Sequence, residues 1–241
     1  MTTQIMRRYA VGLLALLFAS FTTTIPAKAD CESMPGPGID WTGCDKFKTT
    51  LAGIDFTGAT LNEALLARSD LRNANFSDAK LNEADFGRAA LDEARLTKAE
   101  LTKADLSRAR LRRAGLNGVN AAGSDFGRAD LVGADLSGGH FLKADFGRAV
   151  LTGAQLKGAD LTDTDFSRAD LTGADLTAAD LTKATFTRAV LAKANLSGAN
   201  LDQADFYLAN LGGAVLDGAK VGAARFCHTI MPEGGINDKS C

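Results

Sequence analysis

Residues 124–143 read SDFGR ADLVG ADLSG GHFLK, four consecutive groups of five residues that each have a Phe or a Leu at the centre. The same period runs without insertion from Thr49 to His228, which makes 36 five-residue groups, or pentads. The centre is Leu in 24 pentads and Phe in ten, and the two exceptions are Ala121 and Val221. Ala stands two residues before the centre in 29 of the 36 pentads, so one small and one large apolar residue recur throughout.

A period of five fits neither a helix nor a strand. Five residues turn a helix by about 500°, so an apolar stripe would wander around it, and an odd repeat moves a strand's apolar residues to alternate faces. The chain must therefore turn a corner every five residues. A polygonal coil does this, with the Ala and the central Leu or Phe pointing inward on each side.

The number of sides follows from which residues stack. In a three-sided coil, residues 15 apart stack and the ten central Phe residues split three, four and three. In a four-sided coil, residues 20 apart stack, and seven of the ten fall in one column: Phe86, Phe126, Phe146, Phe166, Phe186, Phe206 and Phe226. The four-sided coil is therefore predicted, with about nine coils. It stacks Phe141 on Ala121, and we expect the ring to lean into the space that the small side chain leaves.

Two charged columns follow the Phe column. Seven of the eight Arg residues that lie two after a centre share this face: Arg68, Arg88, Arg108, Arg128, Arg148, Arg168 and Arg188. One residue before the centres stands a column of acids: Asp85, Asp105, Asp125, Asp145 and Asp165. Two interpretations remain open. The face neutralises itself by Arg–Asp pairing, or it docks a partner through guanidinium groups at fixed spacing, which bind carboxylates with two hydrogen bonds.

Runs such as ADLVG at 129–133 and ANLDQ at 199–203 resemble the pentapeptide-repeat family. The resemblance implies an all-β fold, a right-handed quadrilateral β-helix, over residues 49–228. The flanks resemble those of exported or lumenal members: DWTGC at 40–44, and FC at 226–227 followed by MPEGG at 231–235 and the terminal Cys241.

The N-terminus has the pattern of a secretory leader. Arg7 and Arg8 precede an apolar run over 9–21, and Ala-Lys-Ala at 27–29 fits a cleavage site. We expect a signal peptide at 1–29, caps at 30–48 and 229–241, and a mature protein in a periplasm, lumen or extracellular space. The apolar run of about 13 residues is too short to cross a ~30 Å hydrocarbon core, so no membrane anchor is expected after cleavage.

All four cysteines lie outside the leader, and an even number in an exported chain favours disulfide bonds. Four cysteines allow three pairings. Cys31 and Cys44 precede the repeats, whereas Cys227 and Cys241 lie at their far end, so local pairing is predicted. Trp41 is in phase with the pentad centres but Lys46 occupies the next central position, which predicts an irregular first coil covered by Trp41.

The residues give little basis for catalysis. The two histidines, His140 and His228, have no partner histidine for a metal site or a nucleophile–base pair. The Asp residues occupy outward positions, and a loop-free rod implies no cleft. We therefore expect no enzyme activity, no cofactor and no metal site.

Charge is uneven along the chain. The full chain has 27 basic and 29 acidic residues. Removal of Arg7, Arg8 and Lys28 with the leader leaves 24 basic and 29 acidic residues, a net charge of about −5. Residues 95–113 carry a balance of +5 and residues 160–180 one of −5. These bands are either a solvated surface or a docking site for a partner.

The sequence predicts an exported, non-enzymatic rod that acts as a structural or protein-interaction element, a monomer rather than an oligomer, with an unknown protein partner. The family resemblance implies an alternative, a DNA mimic that regulates or protects a type II topoisomerase. The leader and the basic band argue against this alternative and against nucleic-acid binding, since a mimic of duplex phosphate is strongly acidic.

Overall fold

The repeats form a four-sided β-helix whose apolar side chains fill the interior. The structure is a computed structural model, and it describes residues 29–238 and 241. The predicted signal peptide lies outside these residues except for Ala29. Within the described residues there is no helix with the length and apolar character needed to span a membrane.

Parallel β-bridges connect each side of a coil to the same side of the next. Every bridge joins residues 20 apart, beginning with Asp40 to Thr60 and ending with Asn210 to Ile230. The predicted four-sided period is thereby confirmed. Each side contributes a single bridging residue, so the described chain has only two strands of two residues, β1 (Thr229–Ile230) and β2 (Ile236–Asn237), which pair antiparallel after the repeats.

The pentad around Phe126 shows how each side is held. The backbone N–H groups of Phe126 and Arg128 donate to carbonyls of the following coil at 2.7 and 2.9 Å, and the N–H of Ala129 donates to the Phe126 carbonyl at 2.9 Å across the corner. The corner is a four-residue turn from Phe126 to Ala129. It needs a positive φ at its third residue, Arg128, where φ is 60°. Glycine adopts this conformation without strain, but Arg, Lys and Glu also occupy it in this chain.

The Phe column forms an interior stack. Six consecutive rings, from Phe126 to Phe226, have centroids 4.6 to 5.1 Å apart and planes within 15° of parallel. Leu106 separates Phe86 from this stack, and the Phe86 ring instead meets Phe76 edge-on at 5.9 Å. The rings therefore fix the coil register along more than half of the rod.

Phe141 lies one coil after Ala121 on the same side of the rod, as the 20-residue period predicts. Its ring meets Phe126 and Phe146 edge-on, with centroids 6.0 and 5.6 Å apart. A Cβ atom on Gly139 would lie 2.5 Å from Cε2 of this ring. Gly139, which replaces the usual Ala two residues before the centre, therefore leaves room for this ring.

The N-terminal cap is held by the Cys31–Cys44 disulfide, with Cα atoms 5.5 Å apart. Trp41 is buried, and the ammonium group of Lys46 lies 4.1 Å from the centre of its ring while donating to the Cys31 carbonyl at 2.5 Å. The predicted irregular first coil is wrong. Asp40 and Asp45 form regular bridges, because the long Lys46 side chain carries its charge out to the cap, and the coil thus begins inside segment 30–48.

The C-terminal cap is held by the Cys227–Cys241 disulfide and by the β1–β2 hairpin. The hairpin lies against the last coil, since the N–H of Ile230 donates to the Ala209 carbonyl at 3.0 Å and the Ile230 carbonyl accepts from Leu211 at 2.8 Å. Both disulfides join local cysteines, as the sequence favours.

Candidate functional site

The side of the rod that encloses the Phe column carries both charged columns on its outer surface. We call this surface the ladder face. It comprises the seven arginines Arg68, Arg88, Arg108, Arg128, Arg148, Arg168 and Arg188 and the five aspartates Asp85, Asp105, Asp125, Asp145 and Asp165. All seven arginines are exposed at corner positions with φ near 60°, so the corner turn directs a guanidinium outward in nearly every coil.

The aspartates form an unbroken column, because each is the β-bridge partner of the next. Every carboxylate accepts the backbone N–H of the residue two positions later, at 2.6 to 2.8 Å. Those donors are small: Gly87, Ser107, Gly127, Gly147 and Ser167. A Cβ atom on Gly127 would lie 2.8 Å from Oδ1 of Asp125, so glycine permits this close approach. Small residues between the aspartates and the arginines leave a shallow trough along the face.

The two columns do not neutralise each other through ion pairs. In the described part of the chain, none of the seven ladder arginines has a carboxylate oxygen within 4.0 Å. The prediction of Arg–Asp pairing within this face is therefore not met. The aspartates instead bind backbone N–H groups within the trough, which the arginines also line. Only Arg68 has another described partner, the ring of Phe47 at 5.8 Å.

The stacked carboxylates affect one another. Burial, followed by the negative charges of Asp105 and Asp145, raises the pKa of Asp125 above its usual range, although its hydrogen bond from Gly127 acts in the opposite direction. Asp70 occupies the same pentad position on a neighbouring side of the rod, but its pKa is shifted in the opposite direction. A hydrogen bond from the Arg72 side chain at 2.7 Å lowers the pKa of Asp70.

In the basic band at 95–113, three arginines outside the ladder face bind acidic side chains. Arg110 binds Asp92 through Nε at 3.0 Å, and Arg112 binds Asp130 through Nε at 2.6 Å. Arg113 binds Glu93 of the previous coil at 3.1 Å. The band therefore contributes to the cohesion between coils, and the ladder face is the part of the described surface where a column of arginines lacks carboxylate partners.

The histidines lie apart from the ladder trough. His140 Nδ1 is 4.0 Å from Asp160 on an outward position. His228 continues the arginine column beyond Leu208 and lies in the C-terminal cap, where its Nδ1 is 2.9 Å from Oδ1 of Asp238. This contact could not be predicted from the sequence, because the hairpin that brings residues ten apart together follows the end of the periodic pattern.

Comparison with known proteins gives the same repeat pattern. The family model described as pentapeptide repeats, with eight copies, matches residues 51–88, 89–128, 129–168 and 169–207. No curated protein matches the chain.

Solved structures of similar proteins were also found. HetL, a pentapeptide repeat protein involved in heterocyst differentiation regulation from the cyanobacterium Nostoc, is 32% identical over 83% of this chain and 92% of its own, with a TM-score of 0.39. A pentapeptide repeat protein from the Arabidopsis thaliana thylakoid lumen is 33% identical over 47% of this chain and 69% of its own, with a TM-score of 0.25. QnrB1, a plasmid-mediated fluoroquinolone resistance protein, is 19% identical over 62% of this chain and 83% of its own, with a TM-score of 0.47.

Proposed function

Because the chain belongs to the pentapeptide-repeat family, we propose that it is an exported, non-enzymatic rod whose ladder face docks a protein partner. The single observation that carries this proposal is the column of seven exposed arginines, which have no carboxylate partner among residues 29–238 and 241. An exposed guanidinium keeps its five N–H donors for a carboxylate on another molecule.

The ladder face implies the chemistry of the partner. The arginines recur at the coil rise of about 4.8 Å, so a partner with carboxylates at similar intervals can occupy several of them at once. The aspartate column beside them favours a partner that also carries ammonium or N–H groups. Such mixed complementarity excludes a uniformly acidic or basic partner, because one of the two columns would repel it.

Two features support export. The pattern at 1–29 is that of a secretory leader, and both pairs of cysteines form disulfides, which persist in oxidising compartments. The non-enzymatic role is proposed from the sequence and from membership of the pentapeptide-repeat family.

The test is in-cell crosslinking of the exported protein followed by mass spectrometry. The variant Arg128→Gln/Arg148→Gln/Arg168→Gln removes three charges from the ladder face. Its matched control is Lys143→Gln/Lys183→Gln/Lys193→Gln, which removes three exposed charges from the same corner position on other sides of the rod. We expect both variants to fold and only the arginine variant to lose a specific crosslinked protein.

Equal recovery of that protein with both variants would contradict docking at the ladder face. If the unaltered protein were not found processed outside the cytoplasm, the export part of the proposal would be contradicted separately. The alternative, a DNA mimic acting on a type II topoisomerase, would be favoured if an unprocessed cytoplasmic chain were found crosslinked to that enzyme. The arginine column opposes this alternative, since it repels the cationic DNA-binding surface that a mimic must enter.

A further inference from the structure

A shallow pocket lined by four arginines lies where the ladder face meets the next side of the rod. Arg68 and Arg88 belong to the ladder face, whereas Arg72 and Arg110 stand on the next side. Ala90 lies among them in the lining of the pocket. The pocket therefore gathers guanidinium groups from two adjacent surfaces of the rod around one small residue.

The pocket exists because Ala90 is small. Parallel β-bridges join Ala90 to Asp70 in one neighbouring coil and to Arg110 in the other, so the three residues are consecutive steps of one column. The column runs over positions 50 to 230 at intervals of 20 residues, and Ala90 has the smallest side chain in it. Since consecutive coils are about 4.8 Å apart, Asp70 and Arg110 stand two coil spacings apart with only a methyl group between them.

Two of the four arginines are held in place by carboxylates. Arg72 donates to Asp70 through Nε at 2.7 Å and through Nη2 at 2.6 Å. Arg110 donates to Asp92 through Nε at 3.0 Å and also through Nη2. Because Asp92 lies two residues after Ala90, this ion pair draws the Arg110 side chain back across the coil of Ala90. In both arginines Nη1 has no partner among the described residues, so it remains available to another acceptor.

The other two arginines leave the pocket positively charged. Arg68 and Arg88 are exposed, and neither forms an ion pair with a carboxylate in the part of the chain that the structure describes. Asp70 and Asp92 each neutralise one of the remaining arginines, so the four guanidinium groups exceed the carboxylates by two charges. An anion with two negative charges would balance this excess, whereas a single carboxylate would balance half of it.

Arg72 and Arg110 are close enough to affect each other electrostatically. The hydrogen bond and the charge of Asp92 raise the pKa of Arg110, whereas burial and then the positive charge of Arg72 lower it. A hydrogen bond from Arg72 is the main cause that lowers the pKa of Asp70, and the charge of Arg110 also lowers it. Positive charges thus repel one another across the pocket, and an anion placed between them would reduce that repulsion.

We propose that this pocket binds a phosphate dianion, either as the free ion or as a soluble phosphate monoester. Guanidinium groups match phosphate oxygens with paired N–H donors, and arginines on two surfaces offer such donors from different directions. The inference goes beyond the docking proposal, which is tested at Arg128, Arg148 and Arg168. None of these three arginines lines the pocket.

The experiment is isothermal titration calorimetry of the mature protein with inorganic phosphate and, separately, with glucose 6-phosphate. It is done at about pH 8, where phosphate is doubly charged. Sodium chloride holds the ionic strength constant, so that general screening of the surface charges does not change during the titration. We expect one equivalent to bind. Tighter binding of inorganic phosphate would identify the free ion as the ligand, and tighter binding of glucose 6-phosphate would identify a monoester.

A matched pair of variants tests the position of the site. Ala90→Glu places a carboxylate in the pocket, and Val150→Glu adds the same charge three coils further along the same column. Both should fold, because Asp70 and Asp130 show that this column accommodates acidic side chains, and circular dichroism checks this. Ala90→Glu should weaken phosphate binding about tenfold or more, since its carboxylate takes the place of the anion. Val150→Glu should bind phosphate like the parent protein.

The variant Arg128→Gln/Arg148→Gln/Arg168→Gln, which tests docking, should keep its phosphate affinity, so the two proposals can fail independently. Arg88→Gln removes a guanidinium from the pocket itself and should weaken phosphate binding. A folded parent protein that binds neither phosphate nor glucose 6-phosphate would overturn the proposal. So would equal phosphate affinity in Ala90→Glu and Val150→Glu, or loss of phosphate binding in the triple arginine variant, which would place the anion in the trough instead.

Discussion

The carboxylate of Asp125 accepts the backbone N–H of Gly127 at 2.6 Å and thereby remains in the trough instead of reaching a guanidinium of the ladder face. Asp105 and Asp145 are its bridge partners and are bound in the same way at 2.7 and 2.6 Å. Like charges are therefore stacked along the coil axis without arginines between them. Burial of the carboxylate, followed by this like-charge stacking, raises the pKa of Asp125 and makes its charge unfavourable for folding.

Replacing Asp125 with Asn should stabilise the protein at neutral pH. Because the folded-state pKa of Asp125 is raised above the usual value of about 3.9, the penalty is absent below that value and fully present above the folded-state pKa. Asn keeps an oxygen that accepts from Gly127. We expect a gain of a few tenths of a kcal/mol, of which only the part due to the charges of Asp105 and Asp145 declines with added salt. Chemical denaturation across pH measures it.

Asp70→Asn is the control with the opposite sign. Arg72 lowers the pKa of Asp70, so its ionised form stabilises the fold above the unfolded-state pKa, and this contribution is lost as pH falls through the folded-state pKa. The variant should be less stable at neutral pH and equal to the parent protein in acid. If both variants changed stability in the same direction, the charge environment inferred for the ladder face would be wrong.

Gly139→Ala should destabilise the rod by about 1 to 3 kcal/mol, the usual cost of overfilling a packed interior. The added methyl group would lie 2.5 Å from the Phe141 ring. The double variant Gly139→Ala/Phe141→Leu should recover much of this loss, because it restores the Ala and Leu of the common pentad. Gly36→Ala is a control with open space around the new methyl group. Urea denaturation compares the stabilities of the three variants with that of the parent protein. If Gly139→Ala were as stable as the parent protein, the position of the Phe141 ring would be wrong.

Cys31→Ser/Cys44→Ser should lower stability by about 3 kcal/mol, the value from chain entropy for a loop of about 15 residues. Trp41 is the only tryptophan and is buried beneath this cap. Its fluorescence should therefore shift to longer wavelength when the cap loosens, whereas Cys227→Ser/Cys241→Ser at the other end should leave it unchanged. Identical fluorescence in all three proteins would show that the N-terminal disulfide does not hold the cover over Trp41.

Strict periodicity made the fold predictable. Columns of Phe and Arg separated by 20 residues identified a four-sided coil, and the stack from Phe126 to Phe226 has that register. The position of Phe141 was harder to predict, because the missing Cβ of Gly139 lies in its own pentad and not in the stacked coil. The regular first coil was mispredicted since Lys46 interrupts the pattern, yet its flexible side chain carries the charge to the cap.

The ladder face was only partly predictable. The sequence placed Arg128 and Asp125 on one side, but the backbone N–H of Gly127, which competes for the carboxylate, becomes apparent only with the turn geometry. The His228–Asp238 contact depends on the nonrepetitive hairpin, for which no period exists. In both cases the missing information concerned local hydrogen bonds, which a pattern of apolar residues does not specify.

Covalent footprinting of arginines with a dicarbonyl reagent tests the docking account most directly. It is applied to the purified mature protein and, in parallel, to the protein in its native compartment. We predict that Arg128, Arg148 and Arg168 react readily when purified and are protected in the compartment. The ion-paired Arg110 and Arg112 should react equally slowly in both samples. Equal reactivity of the three ladder arginines in the two samples would contradict docking at this face.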